Sequence, residues 1–212
     1  MEEATEGEEG EKRQKEVGDM KDVSLIHLIP RSLLFSRLKY SAVIMAVLIA
    51  FFSLGPLIPL TAEEGRRIEE QIEGIIQENI ALGIFLNNFI IALVACIPFV
   101  GAPLMAYIAF NTGRFVGWSF LEFGLPKELA IPANLLMIIF SGFGLLEFMG
   151  YAVMVCESLV LTKKIIQRII KRKFDKIRSE LKELLAMIAT ASFLLAVAAI
   201  IEAYFISILS AV

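Results

Sequence analysis

The chain has 212 residues, 57% of them apolar and only 20% charged, with a formal net charge of −3. A soluble domain of this length carries nearer a quarter charged residues, and here the charge is gathered at residues 2–39, 63–78 and 163–183, with long uncharged runs between. That distribution predicts an all-α integral membrane protein, and so small a net charge does not suggest a nucleic-acid partner, so none is expected.

Residues 1–22, "MEEATEGEEGEKRQKEVGDMKD", are polar and acid-rich. They lack the apolar centre of a signal peptide and the apolar content to fold, so they read as a disordered cytosolic tail. Residues 23–39 mix leucine and isoleucine with Arg31, Arg37 and Lys39 around Pro30, as an interfacial segment does. The single histidine, His27, lies here, and one histidine builds neither a zinc site nor a serine–histidine couple. A first span is predicted at residues 40–60, since about 20 residues cross a core of about 30 Å. At 61–80, Ile68, Ile72, Ile75, Ile76 and Ile80 fall on one helical face opposite glutamates, which predicts an amphipathic helix outside the membrane.

Residues 81–120 are too long for one span, and Pro98, Gly101 and Pro103 divide them into a helical hairpin, 81–97 and 104–119, with arms short enough to be re-entrant. After a polar loop at 121–129, residues 130–161 form a nearly continuous apolar stretch. As one straight helix it would run about 48 Å, so "SGFG" at 141–144 is read as a break within a single crossing. Residues 162–183 hold nine of the chain's 20 basic residues, with Ile166, Ile170, Phe174, Ile177 and Leu181 on one face. They read as a cytosolic amphipathic helix before a last span at 184–206. The sum is about five transmembrane helices, one broken or re-entrant near 141–144, in a single domain at 40–212. The positive-inside rule then puts the N-terminus in the cytosol, 61–80 and 121–129 outside, and the protein in the cell membrane. Counting 130–161 as two crossings would put the nine basic residues on the wrong side.

An ionisable group within a span costs at least about 2.5 kcal/mol, so each one asks for a partner or a function. Counting about 1.5 Å per residue from the cytosolic end of each helix puts Asn88, Asn111, Arg114 and Glu147 in one central stratum. Glu157 falls close enough to the cytosolic face to reach the interface, and Glu202 near the outer face. Arg114 is the one central cation and Glu147 the one central carboxylate, so they are predicted to face each other, with Asn111 and Asn88 alongside. Such a group is a structural network, a midplane site for an ion, proton or small polar solute, or a set of charges satisfied by another subunit. The candidate binding residues are therefore Asn88, Asn111, Arg114, Glu147, Glu157 and Glu202.

Small-residue stripes at Ala109, Gly113 and Gly117, at Asn88, Ala92, Ala95 and Cys96, and at Ser192, Ala196, Ala199 and Ala203 predict close helix contacts. Trp118 reads as an interfacial anchor. Cys96 and Cys156 read as small buried hydrophobes. There is no HExxH, GxSxG or phosphate-binding loop and no aspartate within a span. Ser141 belongs to the glycine-rich break. The expectation is no enzyme, no cofactor and no metal.

"NN" at 87–88, "FNTG" at 110–113, "GFGLLEF" at 142–148 and "IEAY" at 201–204 occur in that order. Over about residues 40–206 the chain resembles the stage II sporulation protein M family, particularly its archaeal members. The resemblance places a family asparagine at Asn88, an Asn-Thr-Gly at Asn111 to Gly113, and glutamates at Glu147 and Glu202. The family's Pro-His-Gly-x-x-Glu reads Gly142, Phe143, Gly144, Leu145, Leu146, Glu147 here, so any role of that histidine is absent. The family's named members act in a membrane complex for septal wall thinning and engulfment, beside a wall-degrading partner and without being enzymes. The resemblance thus implies a non-enzymatic subunit or scaffold of a membrane complex; the alternative is a small transporter or channel with a midplane site around Arg114 and Glu147. Expected partners are the lipid bilayer, a membrane or cytosolic protein docked at 162–183, and a second copy of the chain.

Overall fold

A computed structural model describes residues 31–76, 80–171 and 177–209. Among the described residues there are seven α-helices, two short 3-10 turns and no strand. The helices are α1 (Arg31–Leu54), α2 (Ala62–Ile76), α3 (Ile80–Ala95), α4 (Gly101–Glu122), α5 (Ala130–Ser141), α6 (Phe143–Lys171) and α7 (Ile177–Leu209). Three stretches, Phe35–Leu57, Phe143–Lys171 and Glu180–Ile208, are long and apolar enough to cross a membrane, and Ile80–Ala95 is a shorter apolar helix. The all-α membrane class stands, with the number of crossings approximately as expected. The expected tail and His27 lie outside the described residues. The chain divides into two units, Met1–Leu34 and Phe35–Val212, and the helical bundle is the second of them.

The break at 141–144 is there. Gly142 has φ +71°, a left-handed conformation that a glycine adopts without steric cost and that ends α5. Ser141 Oγ accepts the Gly144 N–H at 3.2 Å and donates to the Ile138 carbonyl at 3.3 Å, so it satisfies backbone groups freed by the break. Of the stretch 162–183, expected as a helix of its own, residues 162–171 continue α6 and residues 177–183 open α7, while residues 172–176, with Phe174, lie outside the described residues. No glycine or proline interrupts residues 151–171, so nothing stops α6 at the end of its apolar run. Residues 31–39, expected as an interfacial segment, belong likewise to α1.

The middle of α6 is the centre of the bundle. Every residue from Tyr151 to Ser158 is buried, which on a helix means neighbours on all sides. α7 packs along it antiparallel. Arg168 meets Glu180 and Lys164 meets Glu183 at one end, while Gly150 lies under Leu195 further along. α3, α4 and α5 also pack on α6. The α3–α4 turn is tied to it by Ser158 Oγ, which donates to the Ile97 carbonyl at 2.7 Å, and by Thr162 Oγ1, which accepts the Phe99 N–H at 2.8 Å.

The stripe Ala109–Gly113–Gly117 faces the end of α1 and the 3-10 turn Gly55–Leu57, backbone against backbone. A Cβ on Gly113 would lie 1.9 Å from the Phe52 carbonyl oxygen, and one on Gly55 would lie 2.4 Å from the Arg114 nitrogen. Asn134 on α5 is fully buried there and donates to the carbonyls of Gly113 (2.8 Å) and Phe52 (3.3 Å), stitching three elements together. The buried stripe of α7 runs through Met187, Ala191, Leu195, Ala198 and Ala199; of the expected stripe Ser192, Ala196, Ala199 and Ala203, Ala199 lies on it and the others are half-buried beside it.

α2 opens with a capping box. The Thr61 N–H donates to Glu64 Oε2 at 2.8 Å, and the Glu64 N–H donates to Thr61 Oγ1 at 3.3 Å. Gly65, on the face of α2 that carries Ile68 and Ile72, covers the ring of Trp118, which is buried rather than an interfacial anchor. The backbone N–H of Thr61 holds the Glu64 carboxyl below its ordinary value of 4.5. A depressed carboxyl contributes stability that is present above its unfolded value and is lost as pH falls through the folded one. Amide protection factors at the start of α2 are therefore expected to fall as pH drops below the ordinary carboxylate range, and Glu64→Gln removes that dependence. Protection that stays level across the same range in the wild type would refute the cap.

Candidate functional site

Where the helices α3, α4, α6 and α7 diverge, they enclose a cavity of about 430 Å³ at the α5–α6 break. Its walls are mostly apolar, and its polar residues are Asn87 and Asn88 from α3, Thr112 from α4, Glu147 and Tyr151 from α6, and Glu202 from α7. Asn87 and Thr112 are exposed, so the cavity opens between α3 and α4.

Asn88 lies on the buried stripe Ile84–Asn88–Ala92–Ala95. Its Nδ2 donates to Glu147 Oε1. Glu202 of α7 lines the same cavity as Glu147. Glu202 continues the α7 stripe one turn beyond Ala198 and Ala199, which is why it turns inward. Counting residues separates Glu202 from Glu147 by about 6 Å along the bundle axis. Side chains lean toward the N-terminus of their own helix, and these two helices are antiparallel, so the two carboxyls lean toward each other.

The predicted Arg114–Glu147 pair does not form. Arg114 Nε donates to the Ile58 carbonyl at 2.7 Å, and its Nη1 donates to Asn111 Oδ1 at 3.0 Å. Asn111 in turn donates to the Tyr107 carbonyl at 2.9 Å. Arginine and asparagine together cap the 3-10 turn that follows α1. Arg114 comes directly after Gly113 on α4, so it points away from the cavity-lining face carrying Ile108 and Thr112.

Glu157 does not reach an interface. It is 2% exposed, and its Oε1 lies 3.2 Å from Arg37 Nε. That oxygen accepts no hydrogen bond among the described residues, so this contact is electrostatic. Arg37 also approaches Glu183 at 3.6 Å, and Lys164 and Arg168 extend the network to Glu183 and Glu180. The six predicted residues thus fall into three groups: Asn88, Glu147 and Glu202 at the cavity, Asn111 and Arg114 at the turn, and Glu157 in the ion network.

Sequence reasoning missed Asn134, Tyr151 and Arg37. Asn134 had a signal, a lone amide in the apolar run at 130–161. Tyr151 sits one turn after Glu147, at helical spacing. Arg37 had none, because its partner is 120 residues away. Among the described residues no group of three or more metal-ligating side chains comes together.

The chain matches the family model for Stage II sporulation protein M over residues 39–206, which takes in all six of these positions. Neither a curated protein nor a solved structure matches it. The match covers most of the chain, and with the helical membrane architecture it shows that this protein belongs to the stage II sporulation protein M family.

Proposed function

We propose that the chain is a non-enzymatic subunit of a membrane complex, docked to a protein partner through the joined ends of α6 and α7. One observation carries this reading. At those ends the usual amphipathic arrangement is inverted. Lys164 and Arg168 on α6 turn toward Glu180 and Glu183 on α7, zipping the two helices together. Ile166, Ile169 and Ile170 on one helix and Leu181 and Leu185 on the other are exposed. α6 has 29 residues, a length of about 43 Å, so it outruns a core of about 30 Å by roughly two turns. An apolar face on a rigid extension beyond the bilayer asks for a cover. The basic residues of this end favour the cytosolic side of the cell membrane, which puts the N-terminus in the cytosol as well.

Ile169→Asn with Ile170→Asn is expected to remove a co-purifying protein from affinity captures of the tagged chain while leaving its thermal unfolding unchanged. An identical co-purifying set would sink the docking reading. A second reading, a small transporter or channel, gains support from the cavity, but with its polar centre at Glu147 and Glu202 and without Arg114.

A further inference from the structure

The cavity is remote from the α6–α7 ends and stands independently of the docking reading. Its polar lining includes the Glu147 carboxyl with the Asn88 amide that donates to it, and the Glu202 carboxyl. Tyr151 joins them. It lines the same cavity, is 7% exposed, and its hydroxyl makes no hydrogen bond to any described residue. A phenol that lines a cavity beside two carboxyls offers a hydrogen-bonding position to a guest.

The charge in the site sets the guest's sign. Both acids of the lining, Glu147 and Glu202, are negative when ionised, and one proton shared between them would still leave one negative charge on the pair. Among the described residues no lysine, arginine or histidine lines the cavity to balance that charge. A single positive charge would. Size and lining set the rest. About 430 Å³ is far more than a bare ion fills and lies in the range of small-molecule sites. Most of the wall is apolar or aromatic, with Phe52, Phe115, Ile138 and Phe148 among it. A calcium ion takes six to eight oxygen ligands, and among the described residues no group of three or more metal-ligating side chains comes together.

We propose that the cavity is a binding site for a small organic ammonium ion with an apolar body. The ammonium head donates to Glu147, Glu202 and the Tyr151 hydroxyl, and the body packs against the aromatic wall, whose ring faces favour a cation nearby. The exposed Asn87 and Thr112 flank the opening between α3 and α4 through which it enters.

The test uses the full chain in a non-ionic maltoside detergent. Calorimetric titration compares benzylammonium with benzyl alcohol, its neutral counterpart of similar shape, and with sodium ion. Benzylammonium is expected to bind saturably and at least about tenfold more tightly than the alcohol, since a charge-assisted hydrogen bond is about twice as strong as a neutral one. Glu147→Gln and Glu202→Gln are each expected to weaken it by about tenfold or more. Tyr151→Phe is expected to weaken it several-fold with unfolding unchanged, because that hydroxyl has no partner to lose in the fold. Should either glutamine variant fail to fold, Tyr151→Phe and the amine–alcohol comparison decide. Equal binding of the alcohol would reduce the site to an apolar pocket and overturn the proposal. So would the absence of saturable amine binding, sodium binding alone, or unchanged affinity in well-folded variants.

Discussion

Gly113→Ala is expected to destabilise the protein by about 3 kcal/mol or more, at the upper end of what overpacking costs. The added Cβ would stand 1.9 Å from the Phe52 carbonyl oxygen, and that neighbour is backbone, which no rotamer change can move aside. α1 must retreat from α4 as a whole. Retreat stretches both hydrogen bonds of Asn134, which accept at Phe52 and at Gly113, and leaves buried polar groups without partners. For a chain of this length such a loss lowers the unfolding midpoint by roughly 6–12 °C. Gly142→Ala is the comparison. Its Cβ would meet nothing within 4 Å, and only the left-handed φ of +71° resists it, so it costs about 1 kcal/mol. Midpoints measured in detergent that fall equally for the two variants, or fall further for Gly142→Ala, contradict the close contact of α1 with α4.

The second large effect belongs to the buried ion network. Arg37→Met and Glu157→Gln are each expected to cost about 3–5 kcal/mol, because each removes one side of a desolvated pair. The double variant should recover a large part of that loss, giving a coupling energy above about 1 kcal/mol. Arg37 also stands between Glu157 and Glu183, so its loss leaves two carboxylates facing each other and makes it the costlier single change. The same cycle on Arg114→Gln and Glu147→Gln should add to within about 0.5 kcal/mol, since the two residues share no partner. Coupling between Arg114 and Glu147 together with additivity between Arg37 and Glu157 would reverse both assignments.

Much of the fold can be read directly from residue order. The long uncharged runs impose membrane helices, because backbone groups in hydrocarbon have to be satisfied within the segment. "SGFG" imposes a break, since glycine alone adopts φ +71° freely. The Ala109–Gly113–Gly117 stripe announces a close helix contact. Helix ends within 162–183 were less legible. A basic segment and a buried one look different in composition but can be one uninterrupted helix, as α6 is.

The site was half legible. Residue counting gives height along a helix at about 1.5 Å per residue, and it placed Asn88 and Glu147 in one central stratum together with Asn111 and Arg114. Height says nothing of direction around the axis. Each residue turns about 100°, so Gly113 and Arg114 share a level and face different neighbours. Taking the central arginine and the central glutamate as partners used charge and depth alone, and here the buried stripe of α4 carries the glycine. The stripes of α3 and α7, which pass through Asn88 and Glu202, were the informative signal.

Composition and spacing along the chain are thus enough for membrane residence, helical class, the break and the family, because each follows from local chemistry or from order. Pairings between distant segments are another matter. Arg37 with Glu157, Asn134 with Phe52 and Gly113, and Glu147 with Glu202 depend on which faces the packed helices turn toward one another. That choice is made by all the close contacts of the bundle at once, with the glycine-to-backbone contact of α1 and α4 among the tightest of them.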